Sequence, residues 1–196
     1  MNLIGFDFDA TLVQTDLILC KILSEKVGRL VLPEEITVYD LQACLPELSD
    51  VDVIDVVNDL VSIDRTFQMP PYPSAMDFLK WCGRYNKIYV ITNRPDLEPV
   101  HIYLQHNLDK ATFDQVELHY TKEKGAVAKA LGIKYFIEDK VENIVSLASY
   151  GIIPIVFEQL WNKNIISQRS NLSDLCIFVK NWDDIYHVIG CEFFNY

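Results

Sequence analysis

"LIGFDFDATLV", residues Leu3–Val13, places two aspartates, Asp7 and Asp9, one residue apart at the end of an apolar run. Carboxylates that close repel each other, so a strand ending on them folds against a charge penalty unless a cation offsets it. A hard divalent ion such as Mg²⁺ takes about six oxygens, usually from one or two carboxylates plus water and substrate phosphate. Such an ion would cancel the repulsion and also neutralise an incoming phosphate. The acid pair alone does not make such a site, but Asp7, Asp9 and the pair Glu138–Asp139 could converge on a metal if their strands are neighbours.

Working outward, apolar runs rich in β-branched and aromatic residues recur at Leu3–Phe8, Ile88–Thr92, Val116–His119, Tyr135–Glu138, Ile152–Phe157 and Cys176–Val179. Most are apolar on both faces, as strands covered by helices on both sides should be. Amphipathic segments lie between them: Ser74–Tyr85, Pro99–Asn107, Glu123–Leu131 and Val141–Tyr150. This alternation predicts an α/β fold, a doubly wound, Rossmann-like parallel sheet, in which ligands bind beyond the carboxyl ends of the strands. Asp7, Asp9, Thr92 and the pair Glu138–Asp139 all stand at such ends. A single acid such as Asp139, taken alone, reads better as a helix cap or a solvated loop residue, but the set at strand ends reads better as one site.

From about Gln14 to Met69 the alternation breaks. Helical patterns (Leu17–Val27, Val51–Val61) and an acid-rich stretch, "EEITVYDLQACLPELSDVDVID", replace it, and the prolines of "MPPYPSA" at Met69–Ala75 return the chain to the pattern. The expected organisation is a core of residues 1–13 and 70–196 with a helical cap inserted at 14–69.

Composition narrows the function. At 196 residues with half of them apolar, the chain suits one well-buried domain with an insertion. A formal charge of −11 disfavours nucleic-acid polymers and anionic membranes as partners. No apolar run approaches the roughly 20 residues of a membrane span, and the N-terminus has no basic flank, so neither a span nor a signal peptide is expected. Cys20, Cys44, Cys82, Cys176 and Cys191 are odd in number, with no CxxC pair, and read as free thiols of a cytoplasmic protein. The four histidines show no metal-ligand spacing.

Four segments in order, "DFDAT", "VITN" at Val90–Asn93, a lysine in "KEKG" and "FIED" at Phe136–Asp139, resemble the motifs of the haloacid dehalogenase superfamily of phosphatases. "FQMPPYPSAMDFLKWCGRYNKIYVITNRP" and "YFIEDKVENI…VFEQLWNK", the latter carrying Trp161 and Asn162, look like the cytosolic C-type 5′(3′)-deoxyribonucleotidases.

The resemblance implies a nucleophile at Asp7, which would form an aspartyl-phosphate, and an acid/base at Asp9. It implies a hydroxyl at Thr92 that, with nearby backbone N–H groups, holds the phosphoryl oxygens; Asn93 and Arg94, next along the chain, are candidate substrate-binding residues. Mg²⁺ would be held by Asp7, Asp9 (through its carbonyl), Glu138 and Asp139. The motif lysine is Lys124 or Lys122; Lys124 is favoured because Gly125 and a helix follow it. Lys140 and Arg94 could add positive charge or simply form surface ion pairs. The family usually has glycine where this chain has Ala10, and an alanine forced to positive φ would be strained. Asp9 speaks against a dehalogenase, and against an ATPase, in which a threonine there slows hydrolysis of the intermediate.

These residues lead to an expected phosphomonoesterase acting on nucleoside monophosphates, with a sugar-phosphate or other small-metabolite phosphatase as the alternative. A phosphoacceptor or silent binding module is the competitor from another class. Selectivity should come from the insertion, where Phe67, near its exit with Tyr72, is the expected base-stacking residue.

Overall fold

The computed structural model describes residues 2–167 and 174–194, with side chains described for all of these except 164–167 and 191–194. Six parallel strands form one sheet: β1 (Leu3–Phe6), β2 (Ile88–Thr92), β3 (Val116–Tyr120), β4 (Ile133–Glu138), β5 (Ile153–Phe157) and β6 (Ile177–Val179), in the order β3-β2-β1-β4-β5-β6. Each matches an apolar run expected to be a strand, with ends shifted by up to two residues. The first run is the instructive case. Its ladder ends at Phe6, paired with Val90 on one side and Ile137 on the other, and only the Asp7 N–H still donates, to the Ile137 carbonyl at 3.0 Å.

The chain winds outward from β1 through β2 and β3, then crosses back to β4 on the other side of β1. Loops at the carboxyl ends of β1 and β4 therefore diverge, opening the crevice where doubly wound sheets bind ligands. Asp7 follows β1, and Glu138 ends β4. The topology makes neighbours of acids that lie far apart in sequence.

Between β1 and β2 come α1 (Thr15–Val27), a 3₁₀ turn (Pro33–Glu35), α2 (Leu41–Cys44), α3 (Asp50–Leu60), α4 (Ile63–Gln68) and α5 (Ala75–Gly83). The short helices α2 and α4 were not visible as periodic patterns, being only four and six residues long. Caps define them instead: Asp40 accepts from the N–H groups of Gln42 and Ala43, and Ser62 from that of Arg65. A reciprocal Ser49–Asp52 capping box starts α3. The segment leaves and returns at one point, because Gln14 N donates to the Pro70 carbonyl at 2.9 Å and Tyr72 N to that of Leu12 at 3.0 Å.

The remaining helices are α6 (Glu98–Asn107), α7 (Lys110–Phe113), α8 (Lys124–Ala130), α9 (Val141–Ser149), α10 (Leu160–Ser167) and α11 (Trp182–Phe194). On one face of the sheet, Phe6 packs with Phe78 of α5 and Trp182 of α11. Burying side chains of this size contributes roughly 1.5–3 kcal/mol each, and the Trp182 indole N–H is satisfied by the Thr11 carbonyl at 3.1 Å. The other face is covered by Ala128 and Leu147 of α8 and α9, packed with Ile91, Phe136 and Ile152. Cys20, Cys44, Cys82 and Cys176 are free thiols, and the Cys191 side chain lies outside the described residues. Among the described residues, no helix is long and apolar enough to cross a membrane.

Candidate active site

Lys124 is the first residue of α8 and is fully buried. Its Nζ lies 2.7 Å from Asp7 Oδ1 and 2.8 Å from Glu138 Oε2. Gly125 makes this approach possible. A Cβ there would sit 2.6 Å from the Ser146 carbonyl oxygen and from the Tyr150 ring, so only glycine lets α8 close against α9. Lys122, two residues earlier, is exposed. Burial works against the Lys124 charge, but Asp7 and Glu138 outweigh it and hold the ammonium firmly protonated.

Glu138 is fully occupied: Oε2 faces Lys124, and Oε1 accepts from the N–H groups of Asp139 and Lys140. Asp139 is not. Its Oδ2 accepts from Tyr39 Oη at 2.9 Å and from Trp161 Nε1 at 2.8 Å, whereas its buried Oδ1 has no partner. Asn162 Nδ2 braces the same turn by donating to the Asp139 and Phe157 carbonyls.

A second group surrounds Asp9. Arg94, immediately beyond β2, grips both of its carboxylate oxygens, and Thr15 Oγ1 donates to Oδ1. The guanidinium is buried against the Phe8 ring, 5.1 Å from its centroid, and its third nitrogen donates to Thr66 Oγ1 of α4 at 2.7 Å. Arg94 is therefore no surface ion pair. Burial alone would raise the Asp9 carboxyl, but Arg94, with help from Thr15, holds it below the usual range. Ala10 adopts φ +51, the left-handed region that its place in the motif suggested. Thr15 Oγ1 and Gln159 Nε2 pin its N–H and carbonyl, fixing the loop despite the strain.

No protein-family model matches the chain, and no curated protein matches it in sequence. Solved structures do match in shape. A haloacid dehalogenase-like hydrolase of Streptococcus pneumoniae superposes with a TM-score of 0.65 at 13% identity, over 96% of this chain and 98% of that one. A predicted phosphoglycolate phosphatase of Haemophilus somnus gives 0.66 at 16% identity, over 96% and 98% of the two chains. A hydrolase of the same superfamily from Deinococcus radiodurans, with bound phosphate and sodium, gives 0.64 at 13%, over 98% and 96%. The chain has the haloacid dehalogenase-like fold.

Within this haloacid dehalogenase-like fold, one carboxylate oxygen from each of Asp7, Glu138 and Asp139 lies within 4.8 Å of the others. Burial and the Glu138 charge push the Asp7 carboxyl well up, with Lys124 opposing. The same two causes push Asp139 up to about 7, against the hydrogen bonds of Trp161 and Tyr39. One ammonium is too little charge for three buried acids. The donor set fits a hard divalent cation: among the described residues Asp139 Oδ1 lacks a hydrogen-bond partner, and the Phe8 N–H and Lys124 both meet Asp7 on Oδ1. Glu138 belongs to the cluster but spends both oxygens on Lys124 and backbone N–H groups. The carboxylate of Asp9 lies outside it, held by Arg94.

Asp7, Asp9, Thr92, Asn93, Arg94 and Lys140 line one cleft of about 340 Å³. Thr92 Oγ1 accepts from the Arg94 N–H, which leaves its own proton free to donate. The Asn93 amide is spent on structure, donating to the Thr121 carbonyl and accepting from Asn143. Phe67 is not brought to the site. Its ring packs edge-on against Tyr103 and His106 of α6, because α4 turns Thr66, not Phe67, toward Arg94. The sequence reading missed Tyr39 as a partner of Asp139. A lone tyrosine 100 residues from its acceptor carries no local signal.

Proposed function

We propose that the protein is a Mg²⁺-dependent phosphomonoesterase that works through an aspartyl-phosphate on Asp7. The observation that carries this reading is the buried Asp7–Lys124–Glu138 chain beside an Asp139 oxygen without a partner. Lys124 fixes the Asp7 carboxylate beside the cleft, ready to meet a phosphorus atom there. One Asp7 oxygen attacks phosphorus while the other stays available to the cation, the bond to the ester oxygen breaks, and Asp9 supplies the proton that oxygen needs. Asp9 then takes a proton from water, whose oxygen attacks phosphorus and releases phosphate and free Asp7. Thr92 donates to the phosphoryl oxygens throughout, and Arg94 joins it when its guanidinium turns from Asp9. Mg²⁺ held by Asp7 and Asp139 would supply neutralising charge for the acids and for the phosphate they meet.

The substrate class this reading favours is a small phosphorylated metabolite. One neighbour of similar fold is described as a phosphoglycolate phosphatase, none of the three neighbours above is described as a nucleotidase, and Phe67 offers no stacking platform in the cleft. Residues 14–69 act in this reading as the cap that covers the cleft, with Tyr39 as the side chain they send into it. A phosphate-release screen over sugar phosphates, nucleoside monophosphates and aryl phosphates, run with Mg²⁺ and again with EDTA, tests the proposal. Release that needs Mg²⁺ is expected, and full activity in chelator, or none with any ester, overturns it.

A further inference from the structure

A second cavity, of about 170 Å³, adjoins the cleft and shares Asp9, Tyr39 and Val61 with it. Its wall is apolar, formed largely by Leu19, Ile36, Val38, Leu60 and the rings of Tyr39 and Trp161. Asp9 stands at the junction. The residue that protonates the leaving oxygen thus faces the phosphoryl cleft on one side and this cavity on the other, which makes the cavity the place for the leaving group.

Two features of the wall restrict what fits. The volume is close to the roughly 150 Å³ of an apolar cavity that takes one benzene-sized ring. A hexose would bring several hydroxyls to a wall with few partners for them, and each unsatisfied polar group is costly to bury. The wall also contains a second acid. Asp16, in the first turn of α1, lines the cavity, and its Oδ1 is buried without a hydrogen-bond partner. Burial pushes the Asp16 carboxyl up, and its place at the helix N-terminus, with the Leu17 and Asp16 N–H groups opposing that rise, explains why an acid is tolerated there. Among the described residues, Asp9 and Asp16 are the only charged side chains on this wall.

We propose that the cavity selects a compact, largely apolar leaving group carrying one cationic or neutral hydrogen-bond donor that meets Asp16, and that it rejects leaving groups bearing a carboxylate or second phosphate. The inference rests on the phosphatase reading above and adds a substrate class to it. Under it, phosphoglycolate, whose leaving group is anionic, is a poor substrate despite the shared fold.

The test compares 4-(aminomethyl)phenyl phosphate with 4-carboxyphenyl phosphate, esters of similar size and leaving ability but opposite charge. The wild-type protein should prefer the amine by at least about tenfold in kcat/KM, the scale of a hydrogen bond to a charged group. In the near-isosteric Asp16→Asn variant that ratio should collapse toward unity. A general effect of the protein's negative charge would leave the ratio intact, because one substitution barely changes −11. As a measurement that needs no variant, benzylamine should inhibit hydrolysis of phenyl phosphate at lower concentration than benzoate. Equal rates for the two esters, a ratio indifferent to Asp16→Asn, or benzoate inhibiting as well as benzylamine overturns the proposal while leaving the phosphatase reading standing. Absence of turnover with every ester defeats both.

Discussion

Arg94 holds Asp9 by both oxygens, Nε at 2.7 Å from Oδ2 and Nη2 at 2.6 Å from Oδ1, while its third nitrogen reaches Thr66 on α4. In this geometry Asp9 is an anion, suited to accept a proton from water. Donating one to a leaving oxygen requires the guanidinium to turn toward the phosphate and release it. Because Arg94 lowers the Asp9 pKa, the protonated acid is lost at a lower pH than an ordinary carboxyl would lose it. Replacing Arg94 by Gln should therefore raise KM and move the falling, alkaline limb of the kcat/KM profile to higher pH. A limb that stays in place would remove Asp9 from the role of acid.

Lys124 can be set against Lys122. Deleting a buried charge partner leaves Asp7 and Glu138 uncompensated, at about 3–5 kcal/mol. Lys124→Met should thus lower the thermal midpoint substantially and reduce turnover by orders of magnitude. Exposed Lys122→Ala should change stability by no more than about 0.5 kcal/mol. Calorimetry and phosphate release on both variants decide the matter, and the reverse ranking would displace Lys124 from the site.

The acid cluster predicts how metal and pH act together on stability. Asp139 is raised to about 7 in the folded protein, from an ordinary value of 3.8. Between those values the folded state binds more protons than the unfolded one, so metal-free stability should fall as pH rises from about 4 to about 7. Mg²⁺ bound at the cluster would restore the missing charge, and should raise the thermal midpoint more at pH 8 than at pH 5. An equal shift at both pH values would mean that the cluster is not where the metal binds.

The strands and their acids were legible because most strands are apolar runs, β3 with its Glu117 and His119 being the exception, and the site acids stand at the ends of those runs. Strand order was not, since nothing in Leu3–Phe6 or Ile133–Glu138 says that the two pair. Arg94 and Lys124 were visible as cations near motif positions. Their burial was not, because it depends on Phe8, Thr66 and the close contact of Gly125 with α9. Phe67 misled because proximity to the insertion's exit says nothing about which way a six-residue helix faces.

That correction has its own consequence. Phe67→Ala removes contacts with Tyr103 and His106 and should lower stability modestly, by about 1 kcal/mol, as a partly exposed aromatic does. The ranking of nucleotide and non-nucleotide esters should not move. A changed ranking would return Phe67 to the binding surface.

The central claim is that Asp7 carries the phosphoryl group. Acid quench of a turning-over mixture of protein, Mg²⁺ and a hydrolysed phosphomonoester, followed by peptide mass spectrometry, reads this directly. The account predicts phosphate on the peptide containing Leu3–Val13, at Asp7, and its disappearance with turnover in Asp7→Asn. Phosphate on another residue, or an Asp7→Asn protein within about tenfold of wild-type turnover, a barrier change of only about 1.4 kcal/mol, would contradict it.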